Sequence, residues 1–310
     1  MNRRDFVGIA AASAVALGLK RQGFAKPAAA PQFAITMDDF NWRNAVHLTA
    51  AERNQAILDV LNANGRKAAL FVIGRNADDN DGKTLLRSWD DARHIIGNHT
   101  YSHRSLNSVT APDFEEDGAR AENILKSYKQ FQKLFRFPAL KEGDTVAKRD
   151  HVRAFLKSLG YRTGHVTIDN SDWIVDSRLS ARLAKDPKAD VKPYRDFYLE
   201  HMWDRAAYYN SLATKVTGRS VKHTVLMHFN LLNGLFLGDL IEMFKGKGWQ
   251  LIDAEEAFTD PIFRAEPNTL PAGESIVWSL AKEKGTIAKS LRYPAEDGDY
   301  ETARMNKLGL

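Results

Sequence analysis

The chain has 310 residues, 44% of them hydrophobic and 27% charged, enough to bury a sizeable core as one large domain or two ordinary ones. Its net charge of +5 is concentrated at the start: Arg3, Arg4, Lys20 and Arg21 face only Asp5 in the first 25 residues, leaving +2 on the remainder. That balance excludes recognition of nucleic acid through a basic surface. The absence of cysteine excludes disulfides, thiolate nucleophiles and cysteine-held zinc.

Residues 1–25 read as an export signal. A basic start is followed by an apolar run from Phe6 to Leu19 and by small residues at Gly23 and Ala25, a composition that places cleavage after Ala25, with Ala29 and Ala30 as alternatives. The run of 14 residues is short of the roughly 20 that span a bilayer, so the processed chain is expected not to be an integral membrane protein. "RRDFVG", with Arg3 and Arg4 ahead of Phe6, resembles a twin-arginine signal, and Lys20 and Arg21 near the cut favour that route. An ordinary secretory signal carrying two chance arginines would export the protein equally, to the periplasm or beyond the cell. The expected partners are thus the twin-arginine export machinery and an extracytoplasmic substrate.

After the linker 26–32, short apolar runs alternate with helical patterns. The runs 33–37, 68–73, 94–96, 134–137, 164–168, 224–229 and 249–252 read as buried strands. Helical periodicity covers 50–64, 112–133, 145–159, 193–216 and 235–247. The first of these shows its own boundaries: Thr49 caps it, Glu52 stands three residues on, Ile57, Leu58 and Leu61 form the apolar face, and Gly65 ends it. About seven such strand–helix units predict an α/β fold, a barrel or a doubly wound sheet, over residues 33–258. No second-domain linker interrupts it. Residues 259–310, with Pro261, Pro267, Pro271 and Pro294, read as an irregular C-terminal extension.

In parallel α/β folds reacting groups gather at the C-terminal ends of strands, and polar residues recur there in this chain. The first strand ends in Asp38 and Asp39, the third in "HTYSH" with His99 and His103, and the fourth carries Arg136. The fifth leads into "DNSDW" with Asp169, Asp172 and Trp173, and the sixth ends in His228. Each has a bland counterpart: an Asp pair also serves as a turn or cap, "DNSDW" as an Asx-turn, and a strand-end His as a satisfied core residue. His99 and His103 stand four apart, as in metalloprotease helices, but no acid lies between them to act as base. Five such coincidences at equivalent ends argue for a site.

Together these residues resemble the polysaccharide deacetylase family, the nodulation-type deacetylases of carbohydrate esterase family four. "TMDD" (Thr36 to Asp39), "HTYSH", "RFPA" (Arg136 to Ala139), "DNSDW" and "VLMH" (Val225 to His228) follow the order of that family's five motifs, across residues 33–258. Met37 and Val225 are mild apolar departures. Ala139 replaces an aromatic that walls the family's groove, implying a more open or differently shaped cleft. The resemblance implies a distorted (β/α) barrel of seven or eight units.

It also implies roles. Asp39, His99 and His103 would hold a divalent metal, and Asp38 would be the catalytic base. A two-histidine, one-carboxylate set leaves positions open for water and substrate, with zinc the default and cobalt, iron or manganese fitting the same ligands. His228 would be the acid that protonates the leaving amine, Asp172 would hold its imidazole, and Arg136 would tune the base. The main-chain N–H of Ala139 would face the oxyanion. Trp173 would offer an apolar face to a sugar ring, with Val225 beside the acetyl methyl. The implied activity is N-deacetylation of a GlcNAc-containing polysaccharide of chitooligosaccharide or peptidoglycan type, releasing acetate. An O-deacetylase acting on a glycan such as acetylated xylan needs the same residues. An amidohydrolase of a small non-sugar amide and a catalytically inactive carbohydrate-binding domain are further rivals. His47, His94, His151, His165, His201 and His223 match no motif.

Overall fold

The computed structural model describes residues 30–43, 46–285 and 298–310; the export signal read from residues 1–25 lies outside them. The described residues form nine strands, β1 (Gln32–Asp39), β2 (Ala69–Val72), β3 (Ile95–Asn98), β4 (Phe131–Phe135), β5 (Lys141–Gly143), β6 (Arg162–Thr163), β7 (Lys222–His228), β8 (Gln250–Leu251) and β9 (Ala272–Gly273). Ten α-helices accompany them, α1 (Ala50–Ala63), α2 (Asn80–Asp91), α3 (Ala111–Leu125), α4 (Val146–Ser158), α5 (Asp172–Lys185), α6 (Lys192–Thr217), α7 (Leu231–Gly246), α8 (Ala254–Ala257), α9 (Ile276–Lys284) and α10 (Asp299–Leu308).

Seven strands make one parallel sheet in the order β6-β4-β3-β2-β1-β7, with β8 also on β1. The sheet curls until its ends meet. Gly164 N donates to Phe135 O of β4 at 2.7 Å. Four residues later Ile168 N donates to Thr224 O of β7 at 3.1 Å, and Leu226 N to Ile168 O at 3.0 Å. One irregular segment thus bonds to strands on both sides and closes a distorted barrel. It was expected as a full strand at 164–168, but only Ile168 bridges regularly to Val225. The reason is steric: a Cβ on Gly164 would lie 2.3 Å from the Phe71 ring, and one on Gly97 of β3 only 2.7 Å from it. Phe71 fills the barrel between two glycines, and the flanking backbone bends around it.

The expected helix 112–133 is shorter, ending at Leu125. Phe131, Lys133 and Phe135 alternate in β4 instead, because a buried strand partner on β3 outweighs the helical pattern. Helices α2 and α5 were not expected; Asp79 caps the first through Gly82 N. The extension is also more regular than its prolines suggest. β9 pairs antiparallel with β5, and Ile276, Val277, Ala281 and Met305 join the main apolar core. Ile276 N bonds Val166 O at 2.9 Å and Ser275 Oγ bonds Thr167 O at 2.9 Å, so the extension covers the segment where the barrel lacks a regular strand.

Candidate active site

The register of β1 against β7 sets Asp38 opposite His228 and Thr36 opposite Leu226. Side chains alternate along strands, so Asp38, Thr36, His228 and Leu226 share one face and Val225 takes the other. Two successive carboxylates would then diverge, yet Asp38 and Asp39 both reach the site. Phe40 N donates to Asp38 O at 3.0 Å across a γ-turn whose central residue, Asp39, has φ 75°, a conformation that is rare and strained for a residue with a side chain. Positive φ recurs after β3, where Thr100 has φ 60° and His103 φ 62°. Asn98 organises that loop: its Oδ1 accepts from Thr100 N at 2.9 Å, and its amide donates to Gly118 O at 2.9 Å and to Tyr161 Oη at 3.0 Å.

Asp39 Oδ1 then lies 3.5 Å from His99 Nε2 and 3.3 Å from His103 Nε2. The tautomer of His99 follows from its other nitrogen, which sits 2.7 Å from Arg136 O. A carbonyl only accepts, so Nδ1 carries the proton and the Nε2 lone pair faces Asp39. Burial, with His99 next to it, pushes His103 down to about 4, leaving its imidazole neutral near pH 7. Burial would raise Asp39, but His99, His228 and His103 outweigh it and hold the carboxyl below the usual range. Asp39 Oδ1 is buried and accepts no hydrogen bond. Three acceptor atoms facing one another without a proton between them suit a cation, and their 3.3–3.5 Å separations to Asp39 match the edge of about 3.4 Å in a tetrahedron with ligands near 2.1 Å. The residues fit a divalent metal.

Asp38, almost wholly buried, takes Arg136 Nη1 on Oδ1 at 2.7 Å, and its Oδ2 lies 3.8 Å from His99 Nε2. Arg136 is itself held by Thr36 Oγ1 at 3.0 Å, by Gly164 O at 2.7 Å and by the Phe71 ring 4.0 Å below its Cζ. On the neighbouring strand, His228 Nδ1 meets Asp172 Oδ1 at 2.6 Å. Asp172 Oδ2 accepts from His228 N (3.0 Å), Asn233 Nδ2 (2.8 Å) and Asn230 Nδ2 (3.2 Å). Burial disfavours a charged His228, but Asp172, with Asp39 and Asp38 behind it, prevails and lifts its pKa well above the ordinary value. Asp172 is correspondingly lowered despite its burial.

Of these groups Asp39, His228 and Asn230 line a cavity of about 560 Å³, together with Trp173, Asp176 and Arg53 among others. Trp173, in the first turn of α5, presents part of its ring there. One of the expected residues is placed elsewhere. Val225 is 1% exposed and packs in the main core, away from His228. Ala139 is exposed, in a left-handed turn (φ 50°, ψ 27°) three residues after Arg136, and is not among the cavity-lining residues. The sequence reading passed over Asn98, Asn230 and Asn233. The only signal for the last two was a pair of amides in the apolar run "FNLLNGLF", five residues or fewer after His228.

Residues 25–164 match the family model described as polysaccharide deacetylase. That match takes in 140 of the chain's 310 residues, somewhat less than half of it. The match contains the metal-facing residues and Arg136 and ends before Asp172 and His228. The chain is 28% identical over 151 residues to peptidoglycan-N-acetylmuramic acid deacetylase of Bacillus subtilis, covering 48% of this chain and 54% of that protein. It is 28% identical over 142 residues to a chitin deacetylase of Pestalotiopsis sp, covering 46% and 43%. The aligned stretches span about half the length of these relatives. Among solved structures, a carbohydrate esterase family four pseudoenzyme from Bacillus anthracis superposes with TM-score 0.51 at 18% identity, over 74% of this chain and 66% of that one. The chitin deacetylase of Colletotrichum lindemuthianum gives 0.50 at 20% identity, over 74% and 88%. At such identities the structural likeness concerns the fold.

Proposed function

We propose that the protein is an exported, metal-dependent hydrolase that removes N-acetyl groups from a GlcNAc-containing polysaccharide of chitooligosaccharide or peptidoglycan type. The observation that carries this reading is the pairing of Asp38 with His228 across adjacent strands, which puts a carboxylate and a raised-pKa imidazole on the two sides of one metal-fitting triad. The relatives' deacetylase names agree with it. Export by the twin-arginine route rests on "RRDFVG" and on Lys20 and Arg21 near the cut, and no helix among the described residues is long and apolar enough to cross a membrane.

Asp39, His99 and His103 would hold the ion, with zinc favoured by a hydrolytic task and by two neutral imidazoles and a carboxylate. When bound, such an ion supplies Lewis acidity toward a water and the amide carbonyl. Asp38 takes the proton of the attacking water, and the bond from Arg136 Nη1 keeps its carboxylate aimed. His228 donates from Nε2 to the departing amine, while Asp172 holds Nδ1 and balances the charge. The amide of Ala139, in its left-handed turn, is the main-chain donor assigned to the oxyanion. Trp173 stacks a sugar ring. Val225 keeps a core role in this scheme.

Acetate release from chitooligosaccharides, peptidoglycan and acetylxylan, with and without chelator, tests the proposal. Release from the amide substrates that stops on chelation and returns with zinc is expected. Release from acetylxylan alone would make the protein an O-deacetylase, and no release from any of the three would make it a binding domain.

A further inference from the structure

Beyond the reacting groups, the cavity has a wall that no motif describes. Trp173, Asp176, Ser177 and Ser180 all line it, and their spacing of three, four and seven residues places them on one face of α5. From Trp173 to Ser180 the helix rises about 10 Å, seven residues at 1.5 Å each, enough to run beside two sugar rings. The near end touches the chemistry, since Asp172 precedes Trp173. The far end carries only hydroxyl groups.

Asp176 is the charged member of that face. Its Oδ1 accepts from Leu232 N at 2.9 Å, which anchors the carboxylate while it still faces the cavity. Opposite stands Arg53, buried, with Nη2 on Asn41 O at 2.9 Å and its guanidinium 5.2 Å from the Phe229 ring. Gly234 makes room for it, since a Cβ there would lie 2.9 Å from Arg53 Cγ. The wall is therefore built and fixed on both sides. Burial raises Asp176 to about 6, with the Asp172 charge adding to it and the Leu232 amide and Arg53 moderating it, the behaviour of an acceptor short of donors.

We propose that this face of α5 is the track along which the glycan leaves the metal, and that Asp176 is a specificity-determining residue that accepts hydroxyl hydrogen bonds from the uncharged pyranose next to the reacting one. The inference rests on the deacetylase reading above. It gives the protein a preference for polymer over short fragments, supplied by hydrogen bonds beyond the reacting sugar.

The test is the ratio of kcat/KM on chitotetraose to that on chitobiose, measured on the zinc-loaded full chain. Asp176→Ala should lower this ratio about tenfold, mostly through KM, as expected for one hydrogen bond to a charged acceptor. Asp176→Asn, which keeps an acceptor oxygen and the Leu232 contact, should restore most of it. Ser180→Ala should lower the ratio by a smaller factor. An Asp176→Ala protein in which both substrates slow equally, or in which the ratio stays at the wild-type value, overturns the proposal and leaves a structural role. Failure of the wild type to release acetate from either substrate would overturn the deacetylase reading and this one with it, so the two failures are distinguishable.

Discussion

On the metal-facing side of the site, Asp39, Thr100 and His103 are held in left-handed backbone, and Asp39 Oδ1 has no hydrogen bond. On the acid side, Asp172 sits in the first turn of α5 and both of its oxygens are bonded, to His228 and to two asparagines. Strained φ values cost of order 1–3 kcal/mol per residue, and an unanswered buried oxygen costs about 1–3 kcal/mol more. The ligand half is thus frustrated without a cation, whereas the acid half is satisfied by the protein alone. A bound ion should therefore stabilise the first and leave the second unchanged.

The largest effect that could break this contrast comes from the two neighbouring carboxylates. Asp39→Ala removes a ligand, so metal occupancy and turnover should both fall to background, and the melting temperature should no longer respond to zinc. Asp38→Asn keeps size and hydrogen bonding but cannot take a proton. It should retain the ion and lose at least about 10² in turnover, the lower end for a general base. Metal analysis beside acetate release separates them. An Asp38→Asn protein without metal, next to a loaded Asp39→Ala protein, would reverse the assignments.

The acid half should behave oppositely. His228→Ala is expected to keep its metal and lose about 10²–10⁴ in turnover. An acetyl ester should suffer less than an acetamide, because an alkoxide leaves more readily than an unprotonated amine. Metal-free His228→Ala protein would make His228 a ligand and erase the distinction between the halves.

How much of this was legible in the sequence differs between the halves for a physical reason. Carboxylates and histidines recurring at strand ends are chemically distinctive, so Asp38, Asp39, His99 and His103 stood out. What aims them did not, since a positive φ at Asp39 leaves no mark when the residue is not glycine. The acid half was legible only as far as His228 and Asp172. "DNSDW" reads as an Asx-turn, and it is one, with Asn170 Oδ1 accepting from Asp172 N at 3.0 Å. The helix that starts on that turn was hidden by it. Asn230 and Asn233 answer a carboxylate 58 and 61 residues away, a partnership that local pattern cannot carry. Alternation reads as a barrel or a doubly wound sheet and only the resemblance implies the barrel, while the bend at 164–168 depends on the Phe71 ring, which packs against it from β2.

The smallest effect concerns acid, and it sharpens the comparison because both halves share it. Each half rests on a buried neutral histidine. His94, just before β3, accepts from Ala68 N at 2.9 Å through Nδ1, and burial pushes it down to about 4. His223, within β7, bonds Thr167 Oγ1 and Asn210 Oδ1, and burial pushes it down to about 3. In the unfolded chain both titrate near 6.5. Above that value neither state binds the extra proton and the folded form keeps its full stability. As the pH falls below it, the unfolded chain gains protons that the folded chain refuses, and stability is lost until the folded values are reached. At pH 5, about 1.5 units below the unfolded value, each histidine should remove about 2 kcal/mol. His94→Asn keeps an acceptor for Ala68 N but cannot titrate. It should flatten part of the fall in melting temperature between pH 7 and pH 5, with the His223 share left in place. A fall as steep as in the wild type would mean that His94 takes up its proton without unfolding the strands it joins.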